Sequence, residues 1–218
     1  ETDYAGRVLI KGAEPQLHSP DVGFIFQEPR LLPWLSVADN VGFEAGRGGG
    51  KHPRVGELLA EVGLAAFADA WPKQLSGGMA QRAAIARGLF TQPALLLLDE
   101  PFGALDAFTR MPLPDLLLSV GAHHGTTLLL VTHDIDEAAY LSDRIVVMDS
   151  GPGRIAGEVA VPLPRPRDRR NPALARAEAE VLTLLNGGQQ DYLDIAPDIA
   201  AAPPTPAPLN WSTLGFAV

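Results

Sequence analysis

The chain has 218 residues, with 17 Lys and Arg against 26 Asp and Glu, a formal net charge of −9, 46% hydrophobic residues and no cysteine. Its length and apolar content suit one α/β domain with a small appendage; the lack of cysteine excludes disulfides and thiolate metal sites and suits a cytosolic protein. The acidic balance disfavours a nucleic-acid footprint, which needs clustered Lys and Arg, and the longest apolar run, residues 94–98, falls far short of the ~20 needed to span a bilayer.

Any membrane association is therefore expected to be peripheral. The start, Glu1-Thr2-Asp3-Tyr4, has neither a basic segment nor an apolar one, so no signal peptide is expected. Residues 8–10 and 22–26 read as short strands bounded by Gly, Pro and Ser. Residues 31–34 form an apolar loop containing Pro33. Ser36 is placed to cap a short helix beginning at Val37. After the glycine-rich break at 46–50, Pro53 suits the first turn of a helix with the stripe Leu58, Leu59, Val62 and Leu64. A turn at Trp71-Pro72 leads to Leu75-Ser76-Gly77-Gly78-Met79 and a helix over about 80–90.

Residues 95–98, 128–131 and 145–148 are continuous apolar runs, as parallel strands buried on both faces require. A helix over 115–120 is expected between the first two, starting after Pro112 and Pro114 because proline is costly in a helix interior. Alternating strands and helices imply a parallel sheet with right-handed crossovers. Arg165, Arg167, Arg169 and Arg170, broken by Pro166 and Asp168, read as a solvated linker. A short helix follows over 174–185. Residues 186–218, rich in Pro and Ala with no Lys or Arg, read as a disordered tail.

Four strings carry chemistry. Leu95-Leu96-Leu97-Leu98-Asp99-Glu100-Pro101 delivers two carboxylates to a strand's C-terminal tip, where α/β sheets bind ligands. The first suits Mg²⁺, held directly or through water; the second is placed to orient or deprotonate an attacking water. The same string also fits a buried strand ending in an acidic turn. Ser76-Gly77-Gly78 at a helix start offers a hydroxyl and exposed amides to an anion, or is an ordinary glycine turn. Val131-Thr132-His133-Asp134 ends a strand in a histidine at the same sheet edge, able to bond a phosphate and hold a water, or, taken alone, more simply a satisfied structural histidine. Phe26-Gln27 ends another in a neutral amide able to touch a metal ion or a water.

In this order, with Ala104-Leu105-Asp106 between the second carboxylate and the histidine, these strings resemble the ATPase subunits of ABC transporters over residues 1–185. The resemblance implies a RecA-like P-loop NTPase core with an inserted helical subdomain over 37–90. The nucleotide-binding domain is expected over 1–160, a linker and C-terminal helix over 161–185, and the tail beyond. It also implies ATP and Mg²⁺ as cofactors and two subunits sandwiching two nucleotides. Gln27 becomes the Q-loop glutamine, also a metal contact, and Ser76, Gly77 and Gly78 the signature that closes over the partner subunit's nucleotide. Asp99 becomes the Walker B carboxylate, Glu100 the catalytic glutamate, Asp106 a D-loop residue and His133 the switch histidine. Transmembrane permease subunits and, indirectly, a periplasmic solute-binding protein are the implied partners, at the cytoplasmic face of the membrane.

Gln27-Glu28-Pro29-Arg30-Leu31-Leu32-Pro33-Trp34, the 132–138 string and the 164–169 string are similar to the nitrate, sulfonate and taurine importers. In that family the segment after the glutamine meets the permease, a role open to residues 31–34, as is packing within the helical subdomain. One element is missing: Gly-x-x-x-x-Gly-Lys-[Ser/Thr], the Walker A loop that cradles phosphates, occurs nowhere in the sequence. In Gly46-Arg47-Gly48-Gly49-Gly50-Lys51-His52 the position six before Lys51 is Ala45 and the residue after it is His52, so that string does not qualify. The family places its loop upstream of residue 1, on a strand within the sheet. The expectation is a truncated sequence, inactive as it stands. The alternatives are a degenerate partner donating only its signature and, less in keeping with the charge, a soluble DNA-repair ATPase.

Overall fold

The computed structural model describes residues 6–14, 19–149 and 153–193. Three strands, β1 (Val22–Ile25), β2 (Leu95–Asp99) and β3 (Thr127–Val131), form a parallel sheet in the order β1-β2-β3. Leu95 lies opposite Val22 on one side and Thr127 on the other, so the three C-terminal tips end together. Between β1 and β2 the chain makes α1 (Val37–Val41), α2 (Pro53–Glu61) and α3 (Gly77–Leu89), the expected helical insertion. Between β2 and β3 it makes α4 (Ala107–Arg110) and α5 (Leu113–His124), and α6 (Ile135–Leu141) follows β3.

The core is one apolar cluster running from Ile25, Leu96 and Leu98 of the sheet through Ile85 and Leu89 of α3 to Leu113 and Leu117 of α5. Leu96 and Leu98 are fully buried, whereas Leu95 and Leu97 are half-buried and β3 is more open still. The expectation of burial on both faces is therefore corrected: one face carries the helices, and Phe24, Leu129 and Val131 are exposed.

Further corrections concern the strands and prolines. Residues 145–148 belong to β4 (Arg144–Asp149), which pairs antiparallel with β5 (Arg154–Ala160) in a separate two-stranded sheet rather than extending the parallel one. The expected strand at 8–10 is reduced to an isolated bridge between Ile10 and Ala13. Pro112 and Pro114 do not delay α5. Pro112 is its N-cap and Pro114 lies in the first turn, where no intrahelical N–H is needed. The last helix, α7 (Pro172–Leu193), packs on β4, β5 and α6 and runs eight residues into the stretch expected to be disordered. The rest of that stretch, 194–218, lies outside the described residues.

The linker expectation fails at Arg167. Its guanidinium is buried and donates to the carbonyls of Ala139, Tyr140 and Ser142 at the end of α6, and to those of Val161 and Leu163. A helix end leaves carbonyls without intrahelical partners, and a cation there also meets the negative end of the helix dipole. Arg165 bonds Leu141 O and Asp143, and Arg169 lies over the Tyr140 ring at 3.9 Å.

Candidate functional site

The three strand tips present the residues singled out from the sequence. Asp99 is the last residue of β2 and lies exposed opposite Val131. Glu100 follows, its N–H donating to Val131 O at 2.8 Å, which ties the end of β2 to β3. Its backbone turns through φ 44°, a left-handed conformation uncommon for a residue with a side chain. That turn brings Glu100 Oε1 to 2.9 Å from His133 Nδ1. The Glu100 carboxylate, through this hydrogen bond and then through its charge, raises the His133 pKa above the usual imidazole range.

Gln27 comes from beyond β1, and its amide and the Glu100 carboxylate both come close to Gly103. A Cβ built at Gly103 would stand 3.2 Å from Gln27 Nε2 and 3.4 Å from Glu100 Oε2. Gly103 was not singled out from the sequence, because only this close approach gives it a role. The Gln27 segment is held from α3. Gln81, fully buried, donates to Phe26 O at 3.3 Å, and Arg87 donates to Pro29 O and Arg30 O at 2.8 Å each. In the loop that follows, Asn40 accepts from Leu32 N–H and donates to three carbonyls, leaving Trp34 67% exposed.

The His133 segment has its own frame. Asp134 caps α6, accepting from Glu137 N–H at 3.0 Å, and Thr132 Oγ1 donates to Glu137 Oε2 at 3.1 Å. Arg110 of α4 pairs with both Asp134 and Glu137. Burial pushes the Asp134 carboxyl up, but the Glu137 amide and Arg110 together hold it below the usual range. An aspartate three residues before a glutamate is a helix-start signature that the sequence carries. Arg110 carries no such signal, since its partners lie more than twenty residues away.

Ser76, Gly77 and Gly78 stand apart from this rim. Ser76 caps α3, its Oγ accepting from Met79 N–H. Gly78 is buried against α4: a Cβ there would fall 2.4 Å from Thr109 Cγ2, and one on Gly77 would fall 3.0 Å from Leu105 Cδ2. Asp106 caps α4. The Thr109 hydrogen bonds, then those to Phe108 N–H and its own amide, lower its carboxyl pKa against the opposing effect of desolvation. Among the described residues no hydrogen bond joins Ser76 or Asp106 to Glu100 or His133. Gln27, Asp99, Glu100 and His133 thus end or follow strands at the sheet's tips, whereas Ser76 and Asp106 cap α3 and α4, which pack together at Gly78 and Thr109.

The ABC transporter family model matches residues 1–103. The chain is 59% identical over 182 residues to an aliphatic sulfonates import ATP-binding protein, SsuB 2, of Burkholderia lata, covering 84% of this chain and 67% of that protein. It is 58% identical over 188 residues to SsuB 1 of Pseudomonas syringae, covering 85% and 75%. A solved structure of the ATP-binding cassette MJ0796, a dimer in a post-hydrolysis state with ADP and Pi, is 36% identical with a TM-score of 0.54, over 65% of this chain and 63% of that one. The fold is that of an ABC ATPase core, with a parallel sheet and a helical insertion. On the strength of these relatives and this core, the chain belongs to the ABC transporter family, among its ATP-binding subunits.

Proposed function

We propose that this subunit drives uptake of an aliphatic sulfonate or a similar small anion by binding and hydrolysing ATP at the strand rim. The contact between Glu100 and His133 carries the proposal, because it sets a carboxylate and an imidazole side by side at the end of a parallel sheet. Glu100 orients and deprotonates the attacking water. His133 donates to the terminal phosphate oxygen as charge builds there. Asp99, exposed beside Glu100, and the Gln27 amide are oxygen donors of the kind Mg²⁺ takes, and the ion, when bound, neutralises the developing phosphate charge. The sulfonate class rests on the names of the two SsuB relatives.

The phosphates also need a cradle, which this chain's residues do not spell. Among the described residues the outer edge of β3 is unpaired and Phe24, Leu129 and Val131 are exposed, which suits a further strand and helix carrying such a loop. Ser76 to Gly78 of one copy then serves the nucleotide of a second. Exposed Trp34, in the loop after the Gln27 segment, supports contact with a permease and, through it, a peripheral position at the inner membrane surface. No helix among the described residues is long and apolar enough to cross a membrane.

The 218-residue chain alone is expected to show no ATP turnover. Joining the strand and phosphate loop of the Burkholderia lata relative ahead of residue 1 is expected to restore turnover, with a loss of ~10²–10⁴-fold on Glu100→Gln. An extended chain that binds ATP and keeps its rate after Glu100→Gln refutes the assignment.

A further inference from the structure

Away from the strand rim, the ends of α2 and α5 meet through Glu61, His123 and His124, whose ligand atoms all lie within 4.8 Å of one another. His124 Nε2 is 2.7 Å from Glu61 Oε2, and His123 Nε2 is 3.7 Å from Glu61 Oε1, so each carboxylate oxygen faces one imidazole. The two rings stand edge to face, 4.9 Å apart. His124 is only 11% exposed and Glu61 28%, whereas His123 is 70% exposed. Two donors are thus set in the packing between helices, and the third closes over them from solvent. His124 is held by a hydrogen bond to Glu61, whereas His123, at 3.7 Å, stands within ion-pair range but too far for a hydrogen bond.

We propose that Glu61, His123 and His124 form a binding site for a divalent first-row transition ion, Zn²⁺ first among them. Two imidazoles and one carboxylate form a donor set that Zn²⁺ takes with water in the fourth position of a tetrahedron. Nitrogen donors favour Zn²⁺, Co²⁺, Ni²⁺ or Cu²⁺ over Mg²⁺, which prefers an all-oxygen shell. The ion takes the place of the hydrogen bond between His124 and Glu61 and draws His123 in from solvent. Glu61 also lines a cavity of about 470 Å³ with Ser76, Gly78, Arg82 and Thr109. A bound ion therefore fastens the helical insertion to α5 beside the Ser-Gly-Gly turn and restrains movement between them.

The test is a titration of the tag-free chain with zinc chloride in competition with a chromophoric chelator, repeated with Co²⁺ to record visible ligand-field bands. One equivalent is expected to bind. Because loss of a group that only hydrogen-bonds a metal ligand already costs ~10–100-fold in metal affinity, loss of a ligand in His123→Gln or Glu61→Gln is expected to cost at least ~10-fold. Four-coordinate Co²⁺ bands are expected, and they disappear in His124→Gln. His133→Ala, which removes the imidazole at the rim, keeps the equivalent. Zinc is also expected to raise the unfolding midpoint of the parent chain but not of His123→Gln. His123 is well exposed, so its replacement leaves the packing intact. Absence of binding, binding that survives His123→Gln unchanged, or binding that is lost with His133→Ala each overturns the proposal.

Discussion

At the scale of single residues, the site depends on one carboxylate held in an unusual backbone conformation. A left-handed φ at Glu100 costs roughly 1–3 kcal/mol in a residue with a side chain, and such strain persists where surrounding contacts fix it. Here the fixing contacts are Val131 O and His133. The sequence showed the two carboxylates and the histidine, because an apolar run ending in acid marks a strand tip. It did not show the turn at Glu100 or the role of Gly103, since both depend on where Gln27 arrives from a distant strand.

Because Glu100 raises the His133 pKa, Glu100→Gln is expected to lower it, read from the pH dependence of the His133 ring signals by NMR. A folded-state pKa above the unfolded value makes the contact stabilising below the unfolded imidazole pKa. Its contribution then fades as pH rises through the raised folded value. A His133 pKa unmoved by the substitution counts against the pairing.

At the scale of elements, α6 connects the site to the rest of the fold. Its N-terminal end, next to His133, is fixed by Asp134, Glu137 and Arg110, and its C-terminal end by Arg167. Arg110→Ala strands the nearly buried Glu137 without its cation and is expected to cost about 3 kcal/mol in urea unfolding. Arg167→Met keeps the bulk of the side chain but leaves several carbonyls unpaired, and a loss of roughly 2–4 kcal/mol is expected by the same measurement. A loss under about 0.5 kcal/mol in either variant, the range of ordinary surface substitutions, contradicts this account of α6.

The helical insertion was legible as caps and stripes: Ser36 caps α1 and Pro53 opens α2 as expected, whereas α3 starts at Gly77 under a Ser76 cap, three residues before the expected start at about 80. The second sheet was not legible, because an apolar run such as 145–148 does not state which strand it pairs with. The arginine cluster misled for a similar reason. Charge density alone does not reveal that Arg167 turns inward onto a helix end.

At the scale of the whole molecule, a three-stranded parallel sheet gathers Gln27, Asp99, Glu100 and His133 at one rim while Ser76 to Gly78 packs elsewhere. That separation suits a machine in which one copy supplies the rim and another the Ser-Gly-Gly turn. Among the described residues β3 has no strand partner on its outer side, and Phe24, Leu129 and Val131 are exposed, which supports the proposed addition of a phosphate-gripping strand and helix. In the chain extended with those elements, turnover is expected to need two copies. Its rate per chain therefore falls on dilution below the dimer's dissociation constant.

The most direct measurement is a double-mutant cycle on turnover in that extended chain, with Glu100→Gln, His133→Ala and the pair together. Groups that act as a unit show losses that do not add. The double variant is expected to be hardly slower than the worse single one. Losses that multiply, or a His133→Ala variant as fast as the parent, contradict a carboxylate and an imidazole working together on one phosphate.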